Sequence, residues 1–172
     1  MTTRNITLDE LLQSREQRWT RQQALIRKYP DATLVCLTVI MPGPVKRSSR
    51  SLIVAHAAVE ALQQYFAGTI AHMTSHDLET GYEVYMLTSL GLVETKRKTC
   101  RLEDTHPLGR LFDMDVIDKD GLPMSRSAIG EASRKCLLCD REARYCMRNH
   151  SHTQEELHRK IAEMTDAYVR GI

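Results

Sequence analysis

The sequence is poor in aromatic residues, in net charge and in long apolar runs. One tryptophan, two phenylalanines and six tyrosines among 172 residues are too few for a platform on which nucleic-acid bases stack. Its 24 basic and 22 acidic side chains nearly cancel to +2, so no global field draws the chain to nucleic acid or to an anionic membrane. No apolar run reaches the roughly 18 residues of a membrane span. The opening MTTRNITLDE carries no apolar core of a secretory signal. The expectation is a cytoplasmic chain with neither a membrane nor nucleic acid as partner. Disulfides are disfavoured in that reducing compartment, which leaves the five cysteines to metal or redox chemistry.

What is present is an ordinary globular composition, 42% apolar and 27% charged, with no internal repeat and no low-complexity segment. Thr7 and Glu10 form a capping box at the start of a helix whose apolar positions are Leu8, Leu11, Leu12, Trp19, Leu25, Ile26 and Tyr29. Pro30 stops it, because a residue before proline avoids the helical region. The β-branched run Thr33–Met41 reads as a buried strand. A helix from about Ser48 to Phe66 follows, then a short apolar piece near Ile70 to Met73 and a loop from His72 to Thr80. Gly81 to Leu90 reads as a second central strand and residues 92–103 as a helix with a basic face. A further strand runs from Arg110 to Ile117, and the Asp118–Gly121 turn returns the chain through Leu122 to Arg126. Thr153 and Glu156 cap a last helix to about Tyr168. The fold class expected is α+β, a mixed β-sheet flanked by helices. A single domain spans 1–172, with a core over about 7–127 and a Cys/His-rich helical appendage over about 128–172.

Three groups of residues carry chemistry. In Arg110-Leu-Phe-Asp-Met-Asp-Val-Ile117, strand alternation sets Asp113 and Asp115 on one face, with α-carbons about 6.6 Å apart. Like charges side by side in a strand repel, which a divalent cation would relieve; a solvated strand face is the other reading. Lys46, Arg47 and Arg50 crowd a helix start after the turn Pro42-Gly-Pro-Val-Lys46. Cations there oppose the helix dipole, and a phosphate would reconcile the two; a rigid Pro-Gly-Pro turn with incidental charges is the alternative. Cys136, Cys139 and Cys146, followed by His150 and His152, have the spacing of a tetrahedral zinc knuckle. Inert buried thiols and a thiol redox pair stay open. His106 before Pro107 reads as a turn that could bring an imidazole near Asp113, and Cys36 and Cys100 have no partner in view.

HPLGRLFDMDVID at 106–118, the PGPVK turn after TLVCLTVIM, and RKCLLCDREARYC at 134–146 resemble one family over nearly the whole chain, from about residue 11 to the last helix. It is the citrate lyase holo-acyl-carrier-protein synthases, or apo-citrate lyase phosphoribosyl-dephospho-CoA transferases. The resemblance implies a nucleotidyltransferase-like enzyme that moves 2'-(5''-triphosphoribosyl)-3'-dephospho-CoA onto a serine of the citrate lyase acyl carrier protein, the γ subunit, and releases diphosphate. It implies that Asp113 and Asp115 are the catalytic pair holding Mg²⁺ or another divalent cation. Lys46, Arg47 and Arg110 would then steady the phosphates, with Glu83 as a third carboxylate. By the family's spacing, five residues separate the third cysteine from the histidine, which favours His152 as the fourth ligand of a structural Zn²⁺. The competing function is a zinc-stabilised adaptor that docks on the lyase complex without chemistry. It accounts for the cysteines but leaves the aspartates and the basic turn unexplained.

Overall fold

The computed structural model describes residues 3–171. Helix α1, Leu8–Lys28, begins at the expected capping box, where the Thr7 hydroxyl accepts from the Glu10 amide at 3.3 Å and the Glu10 carboxylate accepts from the Thr7 amide at 2.9 Å. Strand β1, Thr33–Val39, leads into helix α2, Ser49–Tyr65. A hairpin of β2, Ile70–Leu78, and β3, Gly81–Thr88, follows. Helix α3, Leu92–Thr105, and one 3-10 turn, Gly109–Leu111, precede β4, Phe112–Ile117. The short helix α4, Ala143–Arg148, and the long helix α5, Gln154–Arg170, complete the chain. No helix among the described residues is long and apolar enough to cross a membrane.

The sheet runs β2-β3-β1-β4, and every neighbouring pair is antiparallel. This corrects the expectation of a mixed sheet. The order β1-α2-β2-β3-α3-β4 is a split βαβ arrangement, in which each crossover helix returns the chain two positions from its starting strand, leaving one strand between. The intervening strand then runs opposite to both. The stretch expected as a loop from His72 is β2, continuous to Leu78 after a bulge between Ile70 and His72. Its polar residues hid it, because an edge strand needs no continuous apolar run. The return after Gly121 is reduced to a bridge between Ile117 and Pro123 and a bond from the Met124 amide to the Val116 carbonyl. A fifth strand is excluded there because Glu103 of α3 takes the outer edge of β4, accepting from the Met114 amide at 2.9 Å.

The two faces of the sheet are covered differently. On one, Val35, Leu37, Val84, Met86, Phe112, Met114 and Val116 pack beneath α2 and α3. Ala57, Ala58 and Ala61 let α2 approach closely, and Ile161 of α5 joins the same core. Arg50 ties α2 to α5 through the Thr165 hydroxyl at 2.7 Å. The other face has a small apolar cluster, Leu34, Cys36, Tyr85, Leu87 and Ile117, closed by Leu25, Ile26 and Tyr29 at the C-terminal end of α1 and by Ala32 after it. The N-terminal part of α1 turns polar residues inward. Ser14 and Gln22 are buried, whereas Leu8, Leu12 and Trp19, expected on the packed stripe, are exposed, Trp19 at 60%. A helix lying over a polar sheet surface gains nothing by burying its apolar side chains against it.

Candidate functional site: an aspartate pair on the thinly covered sheet face

Phe112, Met114 and Val116 are held in the main core, so alternation sends Asp113 and Asp115 to the thinly covered face. Register extends the row across the sheet: Asp113 lies opposite Thr38, which lies opposite Glu83, and Asp115 lies opposite Cys36, which lies opposite Tyr85. Gly109 fixes the entry to β4. A β-carbon there would meet the Glu103 carbonyl at 2.5 Å and the Leu102 carbonyl at 2.6 Å, so only glycine lets the turn abut the end of α3.

Asp115 accepts no hydrogen bond or ion pair among the described residues. Although the residue is exposed on its strand, its carboxyl is pushed above the ordinary carboxylate range, first by desolvation from the surrounding protein and then by the neighbouring Asp113 charge. Glu103 adds to the rise, while Lys96 of α3 and Arg18 of α1 oppose it. Asp113 is met by Arg134, whose Nη1 donates at 3.3 Å. The same guanidinium donates to the carbonyls of Gly109, Arg110 and Phe112, so it braces the backbone where β4 begins.

The residues expected to hold phosphates are dispersed. Lys46 donates to the Met41 carbonyl at 2.5 Å, and burial and the charge of Arg15 hold its ammonium below the usual lysine range. Arg47 grips Asp77 of β2 with two bonds of 2.7 Å, at the opposite edge of the sheet from β4. Arg110 donates to the carbonyls of Lys135 and Cys136, the latter at 2.8 Å, and its buried Nε has no partner. Glu83 is 1% exposed and saturated, accepting from Arg18 at 3.0 Å, Arg21 at 3.2 Å and the Tyr85 hydroxyl at 2.5 Å. His106 packs at a tilt against the rings of Phe112 and Tyr168, turned to the sheet face opposite Asp113. The cation the structure brings onto the aspartates is Arg134, while the charges of Arg18 and Lys96 bear on Asp115 from a distance. Arg134 opens the RKCLLCDREARYC segment and Lys96 belongs to the basic stretch 96–101, but neither pattern points to the aspartates.

Cys136, Cys139, Cys146 and His152 bring their ligand atoms within 4.8 Å of one another, and His152 rather than His150 completes the group. The Cys139 and Cys146 sulfurs lie 3.5 Å apart, and His152 Nε2 lies 3.4 Å from the Cys139 sulfur. Those separations match the edges, about 3.7 Å, of a tetrahedron with Zn–S bonds of ~2.3 Å. Burial works against the Cys136 thiolate, but the amides of Leu138 and Cys139 outweigh it and pull the thiol below its ordinary range. Burial and the facing sulfurs push Cys146 up to about 11. The group can hold a metal such as zinc. It sits on a hairpin closed by the Cys136 amide on the Arg141 carbonyl at 2.7 Å, and Arg110 and Arg134 connect that hairpin to β4. Cys36 and Cys100 lie elsewhere and are buried, and burial pushes the Cys36 thiol up to about 12.

The apo-citrate lyase phosphoribosyl-dephospho-CoA transferase model matches residues 6–168. A Streptococcus pyogenes serotype M3 protein named "Probable apo-citrate lyase phosphoribosyl-dephospho-CoA transferase" is 35% identical over 167 residues, covering 95% of this chain and 87% of that protein. A Vibrio cholerae serotype O1 protein of the same name is 38% identical over 168 residues, covering 95% and 94%. The paired aspartates after HPLGRLF and the four-ligand knuckle thus lie within the matched region, and the chain belongs to the apo-citrate lyase phosphoribosyl-dephospho-CoA transferase family.

Proposed function

We propose that the chain is a cytoplasmic enzyme that transfers 2'-(5''-triphosphoribosyl)-3'-dephospho-CoA to a serine of the citrate lyase acyl carrier protein, the γ subunit, by a nucleotidyltransferase-type reaction. The serine Oγ attacks the phosphorus nearest the ribose. The bond from that phosphorus to the bridging oxygen breaks, diphosphate leaves with the bonding pair, and the serine proton passes to a carboxylate of the site. A phosphodiester joins carrier and prosthetic group.

The observation that carries this reading is the Asp113–Asp115 pair, two carboxylates on one strand face with Asp115 unpartnered and raised in pKa. A carboxylate that holds its proton more tightly than usual is a better acceptor for the serine proton, and Asp115 is given that role. Asp113 and Asp115 would hold Mg²⁺ or another divalent cation, which would neutralise the phosphates and the departing diphosphate. Arg134 orients Asp113, and transfer of this kind asks the protein for positioning and charge neutralisation more than for covalent chemistry. Of Lys46, Arg47 and Arg110, Lys46 gives up least to reach a phosphate, since its partner is one carbonyl. The Cys/His group is assigned a structural Zn²⁺ that fixes the hairpin bearing Arg134, with all four ligand positions supplied by protein.

The test is incubation of the chain with apo carrier protein, triphosphoribosyl-dephospho-CoA and Mg²⁺, read by mass spectrometry of the carrier. A mass gain equal to the prosthetic group, lost on mutating the acceptor serine, is the expected result. Binding without a mass gain overturns the reading in favour of the adaptor.

A further inference from the structure

A triphosphate entering this site needs a cation whose charge is not already spent. Arg18 is committed to Glu83, Arg134 to Asp113 and β4, Arg47 to Asp77 and Arg110 to the knuckle. Besides Lys46, which meets only the Met41 carbonyl, Lys96 is the exception. It is only 6% exposed, yet it makes no ion pair and no side-chain hydrogen bond among the described residues. Its ammonium is not sealed in, because Arg110 Nε is the one fully buried side-chain polar atom without a partner among those residues. The stem is therefore covered, while the ammonium keeps some contact with solvent. Its charge bears on Asp115 of β4 and on Cys100, one turn along α3. The nearest acid on its own helix face, Glu103, is taken by the Met114 amide and by Arg126 at 2.7 Å. Burying most of a lysine without an anion is costly. A ligand anion would remove that cost.

We propose that Lys96 is a triphosphate-binding residue of this site, its ammonium meeting the phosphate oxygens from the α3 side while Asp113 and Asp115 would hold the divalent cation on the sheet. This rests on the transferase reading and deepens it by naming a group that recognises the substrate's phosphates and the diphosphate product. It also explains a placement that stability alone disfavours, since residues kept unsatisfied in the free protein are kept for a ligand.

The experiment uses the full chain as wild type, Lys96→Met and Lys96→Arg. Inorganic diphosphate with Mg²⁺ is titrated calorimetrically, KM and kcat are measured with triphosphoribosyl-dephospho-CoA, and thermal midpoints are recorded. Loss of one charge-assisted bond predicts diphosphate binding weaker by about 10- to 100-fold in Lys96→Met, with KM for the prosthetic-group donor raised in parallel. Its midpoint should be equal to or above wild type, and Lys96→Arg should recover most of the affinity. Diphosphate binding by Lys96→Met within twofold of wild type overturns the role of Lys96 and leaves the transferase reading intact. If Lys96→Met does not fold, the Arg variant decides: affinity and KM near wild type support the role, and a loss as large as removal of the charge overturns it. Wild type that neither binds diphosphate nor modifies the carrier overturns the transferase reading itself.

Discussion

Glu83 and Asp115 stand on the same face of one sheet, two strands apart, and could hardly be treated more differently. Glu83 is enclosed by two guanidiniums and a phenol, all donating to it. Asp115 has a second carboxylate beside it, no donor among the described residues, and a pKa raised first by desolvation and then by that neighbour's charge. A buried carboxylate with all its lone pairs answered is a fixture of the fold. One left in need of positive charge, with a second acid on the same face, is disposed to take a cation or a proton from outside. On our proposal, the contrast separates a structural acid from a chemical one.

The largest effect should come from removing the unsatisfied side of the comparison. Asp113→Asn or Asp115→Asn should lower transfer by about 10³-fold or more, measured as the rate of carrier modification. Stability should move the other way for Asp115. Its folded pKa lies above the ordinary value of 3.8, so native stability is lost as pH rises through the window between the two. At pH 7 the native state carries the whole penalty. Asp115→Asn should therefore melt at or above wild type at pH 7, with the gap closing as pH falls through that window. A variant less stable than wild type at pH 7 breaks the contrast.

Next in size, Glu83→Gln should cost about 3 kcal/mol of stability in denaturant titration, since two guanidiniums lose their anion. Transfer per folded molecule should stay within a few-fold of wild type. Unchanged stability with transfer as low as in Asp113→Asn would make Glu83 a third chemical carboxylate after all.

A smaller effect is expected from the knuckle. Purified protein should hold about one equivalent of zinc by metal analysis; less than about a tenth, with thiols titrating freely, rejects the site. Cys139→Ser should lose the metal and loosen the hairpin that carries Arg134, lowering transfer about tenfold through misplacement of Asp113. Smallest of all, Arg47→Ala removes an ion pair at the far edge of the sheet. It should leave KM for the donor within about twofold of wild type, as exposed pairs contribute little; a tenfold rise would show that Arg47 leaves Asp77 to meet phosphate.

Local signals were legible wherever the deciding physics is local. The capping boxes at Thr7 and Thr153 place both helix starts, because the same hydroxyl and carboxylate that mark the sequence satisfy the first free amides. The cysteine spacing names the three thiols, and His152 joins them as expected. The readings that failed depended on partners far along the chain. β2 lacks apolar continuity because it is an edge strand, and the inward face of α1 is polar because the sheet surface beneath it is polar.

The sequence by itself determined that Asp113 and Asp115 share a face. A strand's period of two demands it whatever the strand packs against, and Phe112, Met114 and Val116 assign the opposite face to the core. Only the tertiary structure decided which cations meet that face. Arg18 comes from α1, Lys96 from α3 and Arg134 from the knuckle hairpin, segments far apart in the chain that converge on β4 only once the sheet has closed. Periodicity is a property of neighbours in sequence, whereas the charge around a site is a property of neighbours in space, and the second cannot be summed before the first has folded.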